Sequence, residues 1–239
     1  MLIKLPNIRQ QNEELDLGCI VDTNVVFAAT FPLDTHNEWA DQVFNKLQSS
    51  KIPIFTNINI RSEFIELNRR VLIPECLVDF YDAMRGFLNP EIEHKLKSLK
   101  TLKARATSES RAFKLSDSEI KKFRHLLSAI EVNETTNGWT LFCRDYFHQY
   151  ITTVWDSAIN DLGIQFLGTR AIESKDYFNG DPKWTDMLDI IGNSGIGSSD
   201  AMIINLFLQS KLPLIVTADS DVKDTVISMM PTDKYILAP

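Results

Sequence analysis

Residues 18–26 read GCIVDTNVV, a run of apolar and β-branched residues that is interrupted by Asp22 and Asn24. This pattern predicts a buried strand that ends near Asp22, with the following polar residues emerging at the edge of a sheet. Four further apolar runs have the length of strands: residues 52–55, 164–167, 212–216 and 235–237. Stretches with helical periodicity separate the five runs. Strands that alternate with helices indicate βαβ units, so the sequence predicts an α/β fold with a central, mainly parallel sheet.

The middle of the chain, at about residues 74–162, has helical periodicity throughout. Pro74 and Pro90 stand where a proline opens a helix, and the SDSE sequence of residues 116–119 has the spacing of a capping box. A further helix is predicted over about residues 139–162. We therefore predict one domain, spanning the whole chain, in which an α/β core carries a helical insertion.

The composition is that of an ordinary folded protein, with 44% hydrophobic and 24% charged residues. No apolar run approaches the roughly 20 residues that cross a bilayer, and the first 18 residues lack the apolar centre of a signal peptide, so we expect a cytoplasmic protein without membrane contact. The three cysteines are far apart and odd in number, which indicates neither a disulfide framework nor a zinc knuckle.

The charge of the chain is unevenly distributed. The formal net charge is −7, but residues 94–125 hold ten Lys or Arg against three acids, so this segment is +7 and the remainder is −14. We predict that the segment guides a nucleic acid through eight side chains: Lys95, Lys100, Lys103, Arg105, Arg111, Lys121, Lys122 and Arg124. The alternative is that these residues form the solvated face of amphipathic helices.

Four acids are expected at one edge of the predicted sheet. Asp22 ends the first strand, and Asp219 follows the fourth in the sequence VTAD. Glu63 falls in the first turns of the helix after the second strand, and Asp200 follows a predicted serine N-cap in GIGSSDAMI. Because ligands bind beyond the carboxyl ends of parallel strands, we expect the four carboxylates to meet at this rim.

Carboxylates gathered in this way repel one another unless they share a cation. Mg²⁺ prefers oxygen ligands and is typically held by a few carboxylates together with the phosphates of a substrate. The sequence therefore predicts a divalent-metal site suited to the hydrolysis of phosphodiester bonds.

Four motifs resemble, in the same order, those of PIN-domain nucleases: VDTNV around Asp22, SEF at Glu63, SSDAMI around Asp200 and LIVTADSDV around Asp219. The match covers the two ends of the chain and not its helical middle. The resemblance implies a three-layer α/β/α sandwich, Mg²⁺- or Mn²⁺-dependent cleavage of RNA and, for many members, a place in a toxin–antitoxin pair.

The resemblance assigns the catalytic and metal-binding roles to four acids: Asp22, Glu63, Asp200 and Asp219. Asp221 would be an auxiliary metal ligand, and Asn24 and Thr217 match supporting polar positions of the family. Glu66, one turn after Glu63, remains the open alternative for the second acid. The long separation of Glu63 from the third acid and the acidic pI of about 5.2 depart from the compact toxin members.

The acidic cluster predicts hydrolysis of phosphodiester bonds, and the resemblance implies that the substrate is RNA. Together they predict a metal-dependent endoribonuclease that leaves 5′-phosphate and 3′-hydroxyl ends, because water rather than the ribose 2′-hydroxyl attacks phosphorus. The expected partners are RNA and an antitoxin or other protein. A homodimer is also possible, because a second subunit could supply positive charge to the acidic cluster. One alternative is a catalytically inactive PIN-fold scaffold that binds RNA or protein. A small-molecule phosphohydrolase is disfavoured, because no DxDxT sequence follows the first strand.

Overall fold

Six short strands form a parallel sheet, and a separate two-stranded antiparallel ribbon lies elsewhere in the chain. The computed structural model describes residues 1–8, 15–168, 176–178, 180, 183–229 and 231–239. The strands are β1 (Leu2–Ile3), β2 (Cys19–Val21), β3 (Ile54–Thr56), β4 (Glu131–Asn133), β5 (Thr136–Asn137), β6 (Ile164–Phe166), β7 (Leu214–Val216) and β8 (Tyr235–Leu237).

Helices connect these strands. They are α1 (Thr23–Thr30), α2 (Asn37–Ser49), α3 (Ile58–Met84), α4 (Pro90–Ser108), α5 (Asp117–Ser128), α6 (Gly138–Phe142), α7 (His148–Ile151), α8 (Val154–Leu162), α9 (Asp186–Ser194), α10 (Ser198–Gln209) and α11 (Ser220–Met229), with a π-helical turn at Cys143–Phe147. Within the described residues, no helix combines the length and the apolar character that a membrane span requires.

The main sheet has the order β1-β8-β7-β2-β3-β6, and every neighbouring pair is parallel. At its centre, Ile20 of β2 pairs with Phe55 of β3 on one side and with Ile215 of β7 on the other. Strands β2, β3 and β7 are buried along their whole length, as expected of a parallel sheet that helices cover on both faces. The predicted α/β fold, a three-layer α/β/α sandwich, is confirmed.

The order of the strands reverses between β2 and β7. From β2 the chain adds β3 and then β6 on one side, whereas β7 and then β8 are added on the other side. In open parallel sheets, such a reversal opens a crevice at the carboxyl ends of the two central strands, and ligands bind there. The residues that directly follow β2 and β7 therefore decide the chemistry of this edge.

The chain divides into two compact units: residues 1–64 with 158–239, and residues 65–157. The first unit contains the main sheet. The second unit, which overlaps the predicted insertion at about residues 74–162, has a helical core of its own. At the centre of that core, Phe80 packs edge-on against Phe142, with ring centroids 5.9 Å apart, and against Tyr146 at 5.3 Å.

The predicted role of Pro74 as the first residue of a helix is wrong, whereas Pro90 does open α4. Pro74 lies inside the 27-residue helix α3. A proline there leaves the carbonyl of Arg70 without its helical donor. The backbone N–H of Leu115 donates to that carbonyl at 3.0 Å, so a distant segment supplies the missing hydrogen bond and the helix continues.

The single helix predicted over residues 139–162 is also wrong, because the segment is broken. A π-helical turn at Cys143–Phe147 interrupts it, and α7 ends just before Thr152. The hydroxyls of Thr152 and Thr153 donate to backbone carbonyls of the preceding turn, at 2.9 Å and 3.2 Å. Such side-chain hydrogen bonds compete with the helical ladder and favour its end at this point.

A buried lysine ties the end of α10 to the strand β8. Lys234 is 6% exposed, and its Nζ donates to the backbone carbonyls of Phe207 at 3.0 Å, Ser210 at 2.8 Å and Leu212 at 2.8 Å. Burial lowers the pKa of Lys234 to about 8. The three ammonium protons thus satisfy carbonyls in the last turn of α10, at its C-cap and in the loop that follows, close to a helix end where a cation is favoured.

We expect Lys234→Met to lower the free energy of unfolding by about 3 kcal/mol, because three buried carbonyls lose their donor while the apolar stem is kept. Urea unfolding of the full chain measures the change. Lys211→Met, at an exposed lysine near the same helix end, is the matched control and should change stability by less than about 0.5 kcal/mol. Equal midpoints for the two variants would contradict this role of Lys234.

Candidate functional site

Asp22 lies at the carboxyl end of β2, where the strand order reverses. It is the N-cap residue of α1 and is 1% exposed. Its Oδ1 accepts a hydrogen bond from the backbone N–H of Thr23 at 2.6 Å, and its Oδ2 accepts one from the Thr217 hydroxyl at 2.6 Å. Burial raises the pKa of Asp22 from 3.8 to about 7, although both hydrogen bonds lower it, and the charges of Asp200 and Glu63 raise it further. The fold therefore fixes this carboxylate firmly and solvates it poorly.

The loop after β7 brings a hydroxyl and a second acid to the same edge. Thr217 directly follows β7. Its hydroxyl donates a hydrogen bond to Asp22 and accepts one from the backbone N–H of Asp219, at 3.0 Å. Asp219 Oδ1 accepts the N–H groups of Asp221 at 2.8 Å and Val222 at 3.2 Å, and so caps α11. Its Oδ2 accepts from the Asn24 amide on α1 at 3.4 Å. The ends of β2 and β7 are thus joined through side chains.

Two glutamates on α3 have different surroundings. Glu63 Oε2 accepts a hydrogen bond at 2.6 Å from the hydroxyl of Thr23, the residue next to the buried aspartate of β2. Glu66 accepts from Arg69 at 2.6 and 2.8 Å and from Arg70 at 3.2 Å. The Arg69 guanidinium holds the pKa of Glu66 below its usual range. Glu63 therefore belongs to the edge of the sheet, whereas Glu66 is neutralised in an ion-pair network.

Asp200 is the third residue of α10, and its carboxylate accepts no hydrogen bond from the part of the chain that the structure describes. Burial raises its pKa to about 6, with smaller contributions from the charges of Glu63, Asp219 and Asp221. The predicted serine N-cap is wrong, because Gly197 occupies that position. A Cβ on Gly197 would lie 3.2 Å from Asp200 Oδ2, so a side chain there would crowd the carboxylate.

Electrostatic interactions link the four predicted catalytic acids and Asp221. Asp22 feels the charges of Glu63 and Asp200, and Asp200 feels those of Asp219 and Asp221. Each charge disfavours the ionisation of its neighbours, a repulsion that a shared cation would offset. The four segments that supply these acids are distant in the sequence and meet only in the fold.

The donors of this cluster suit a hard divalent cation. Among the described residues, no three His, Cys, Asp or Glu side chains converge closely enough to hold a metal ion as they are placed. Each carboxylate oxygen can nevertheless accept more than one interaction, and the Asp200 carboxylate has no donor among these residues. Carboxylate oxygens are the ligands that Mg²⁺ and Mn²⁺ prefer. Burial is the main cause of the raised pKa of Asp22 and of Asp200, neighbouring acids add to it, and a bound cation would offset both effects.

Several polar residues at this edge of the sheet were not predicted from the sequence as site residues. Thr23 positions the α3 glutamate, as described above. Asn57 directly follows β3, the neighbour of β2, and its Oδ1 accepts the N–H groups of Asn59 at 2.9 Å and Ile60 at 3.0 Å, which begins α3. Its Nδ2 and the hydroxyl of Thr56 are buried without a hydrogen-bond partner among the described residues. The available signal was their position near strand ends: Thr56 ends β3, Asn57 directly follows it, and Thr23 lies two residues after β2.

The eight basic residues predicted to guide a nucleic acid form two groups. Four are in ion pairs: Lys100 with Asp82, Lys103 with Glu75, and both Arg105 and Arg111 with Glu109. The other four make no side-chain hydrogen bond or ion pair within the described part of the chain: Lys95, Lys121, Lys122 and Arg124. Half of the predicted surface is therefore neutralised locally.

Comparisons of the chain with protein-family models, with curated proteins and with solved structures find no match. The resemblance to PIN-domain nucleases therefore remains a prediction from the four motifs.

Proposed function

We propose that this chain is a divalent-metal-dependent endoribonuclease of PIN type. The observation that carries the proposal is the buried carboxylate of Asp22, held by two hydrogen bonds among mutually repelling acids at the point where the strand order reverses. A fold that buries such a charge without a neutralising side chain loses stability. The arrangement is explained if the cluster binds cations together with a phosphate group.

Some side chains of the site would bind metal, and others hold these ligands in position. Asp22, Asp200 and Asp219 would hold Mg²⁺ or Mn²⁺, Glu63 would complete the set, and Asp221 would be an auxiliary ligand. When bound, such an ion supplies charge neutralisation at the scissile phosphate and a lower pKa for the attacking water.

The two threonine hydroxyls and one amide keep the carboxylates in place. Thr217 holds one oxygen of the β2 carboxylate, Thr23 holds one oxygen of Glu63, and Asn24 holds one oxygen of Asp219. In each case the second oxygen or a further lone pair remains for a ligand. Carboxylates that are fixed before binding need less reorganisation when substrate arrives.

The reaction proposed here is in-line attack of water on phosphorus, with release of the 3′-oxygen. It leaves a 5′-phosphate on one product and a 3′-hydroxyl on the other. The ribose 2′-hydroxyl takes no part, so the products differ from the cyclic phosphates that metal-free ribonucleases form.

The test is cleavage of labelled single-stranded RNA with Mg²⁺, with Mn²⁺ or with EDTA, by the wild type and by a matched pair of variants. Glu63→Gln should lower the cleavage rate by at least about tenfold, because it removes a charge from the cluster and keeps the size of the side chain. Glu66→Gln, one turn away on the same helix, should change the rate by less than about twofold, since Arg69 and Arg70 already neutralise this group.

Metal-dependent cleavage to 5′-phosphate ends, lost with Glu63→Gln and retained with Glu66→Gln, supports the proposal. If Glu66→Gln were the inactive variant, the assignment of the second acid would be reversed. If no RNA were cut in either metal, the inactive scaffold would replace the nuclease as the function.

A further inference from the structure

A groove within the second unit lies between the first turn of α4 and the side of α5. Its volume is about 510 Å³, which is within the range of roughly 300–1,000 Å³ found for ligand pockets. Phe123 and Leu126 form its apolar floor. Both side chains are half-buried and pack against the core of the unit, so the floor is anchored rather than mobile.

Three lysines surround this floor: Lys95 of α4, and Lys121 and Lys122 of α5. All three are exposed, and none makes a side-chain hydrogen bond or an ion pair in the described ranges of the chain. Their neighbours along α4 differ, because Lys100 and Lys103 are paired with acids of α3. The charge of Lys122 acts on Glu119, but without an ion pair. The three lysines and the apolar floor therefore leave both a charge and a hydrophobic surface to be matched by a partner.

We propose that this groove docks an acidic, amphipathic segment of another protein. A large apolar side chain of that segment would cover Phe123 and Leu126, and carboxylates next to it would face the three lysines. An amphipathic helix that lays its apolar face into a groove is a common mode of peptide recognition. Charge complementarity then selects an acidic segment over a basic one.

The groove favours a peptide over RNA for two reasons. Glu91 and Glu119 also line it, and the hydrogen bonds of Ser116 to Glu119 lower the pKa of that acid, so it stays ionised. A strand with one phosphate per nucleotide would meet these carboxylates, whereas a peptide can place its charges apart from them. In addition, half of the floor is the aliphatic side chain of Leu126, on which a base cannot stack as it does on an aromatic ring.

The experiment is selection of random 12-residue peptides, displayed on phage, against the full-length protein, followed by affinity measurement of the enriched peptides by fluorescence anisotropy. We expect enriched sequences with at least two Asp or Glu beside an aromatic or large aliphatic residue. Lys121→Glu and Lys122→Glu should each weaken their binding by about tenfold or more. Lys97→Glu, an equivalent change at an exposed lysine of α4 outside the groove, should leave affinity within about twofold.

Phe123→Ala tests the apolar floor independently of the lysines. Its urea unfolding midpoint is measured as well, so that a loss of peptide binding is counted only if the variant is folded.

Enriched peptides without acidic residues, or peptides that bind Lys121→Glu as well as the wild type, would overturn the proposal. Binding of a 12-nucleotide RNA that is lost in Lys121→Glu would assign the surface to RNA instead. Concentration-dependent self-association that Lys121→Glu abolishes would assign it to a second copy of the chain. Because none of these measurements uses cleavage, the outcome is independent of the proposed nuclease activity.

Discussion

Replacement of Asp22 by asparagine is expected to lower the rate of RNA cleavage by at least about 100-fold, which corresponds to about 2.7 kcal/mol of transition-state stabilisation. Asparagine keeps the shape of the side chain and both of its hydrogen-bond partners. Its Oδ1 can accept the N–H of Thr23, and its Nδ2 can donate to the Thr217 hydroxyl, which reverses the direction of that hydrogen bond. The variant therefore removes the charge at the centre of the proposed site and keeps the same two neighbours within hydrogen-bond reach.

The measurement is single-turnover cleavage in Mg²⁺, with the product ends identified. The matched control is Asp224→Asn, which removes the same charge from an aspartate of α11 that is 75% exposed and only 3.8 Å from Lys223. Its rate should stay within about twofold of the wild type. Cleavage that persists equally in Asp22→Asn and the wild type would show either a contaminating nuclease or a reaction that does not use this carboxylate.

The positions that the sequence predicted correctly are those with a local signal. Asp22 and Asp219 were expected at strand ends because each follows a buried apolar run, and the register of β2 with β7 places them at one edge. The capping box of α5 was equally local, since Ser116 and Glu119 exchange hydrogen bonds across three residues. Such features depend on neighbouring residues, so the sequence pattern contains them.

The features that escaped prediction depend on residues far apart in the chain. Pro74 was mistaken for a helix start because its tolerance inside α3 rests on a hydrogen bond between Leu115 and Arg70. The contact of Thr23 with Glu63 joins residues 40 positions apart. Strand β1 has two residues, too few for any periodicity, and it pairs with β8 at the other end of the chain. Patterns along the sequence do not contain these pairings, because they arise only when the chain has folded.

The charge of Asp22 is also expected to affect the free energy of unfolding. In EDTA, Asp22→Asn is expected to be more stable than the wild type at pH 8, and this advantage should shrink as the pH falls towards 5. The pKa of Asp22 is raised from 3.8 to about 7 on folding, chiefly by burial. Between these two values the unfolded chain has lost its proton while the folded chain keeps it, so the wild type loses stability as the pH rises. Asparagine has no proton to lose, and the variant avoids this loss.

The expected size follows from 1.36 kcal/mol for each unit of pKa difference. Once the pH has risen above both pKa values of Asp22, its carboxylate would destabilise the folded state by about 4 kcal/mol. Between pH 5 and pH 8, the stability advantage of Asp22→Asn over the wild type should grow by about 2 to 3 kcal/mol. Urea unfolding of both proteins in EDTA at these two pH values measures it. An advantage that is the same at both pH values would mean that the carboxyl titrates normally in the folded state.

Divalent cations should reverse this order. The wild type, but not Asp22→Asn, is expected to gain stability when Mg²⁺ or Mn²⁺ is added at pH 8, by about 2.7 kcal/mol at a concentration of 100 times Kd. Burial of the Asp22 carboxylate and repulsion from its neighbours destabilise the fold, and a shared cation offsets both effects. Low stability without metal and affinity for metal therefore have the same origin. If Mg²⁺ and Mn²⁺ stabilised both proteins equally, the ions would bind elsewhere, and the buried charge of Asp22 would need another explanation than a metal site.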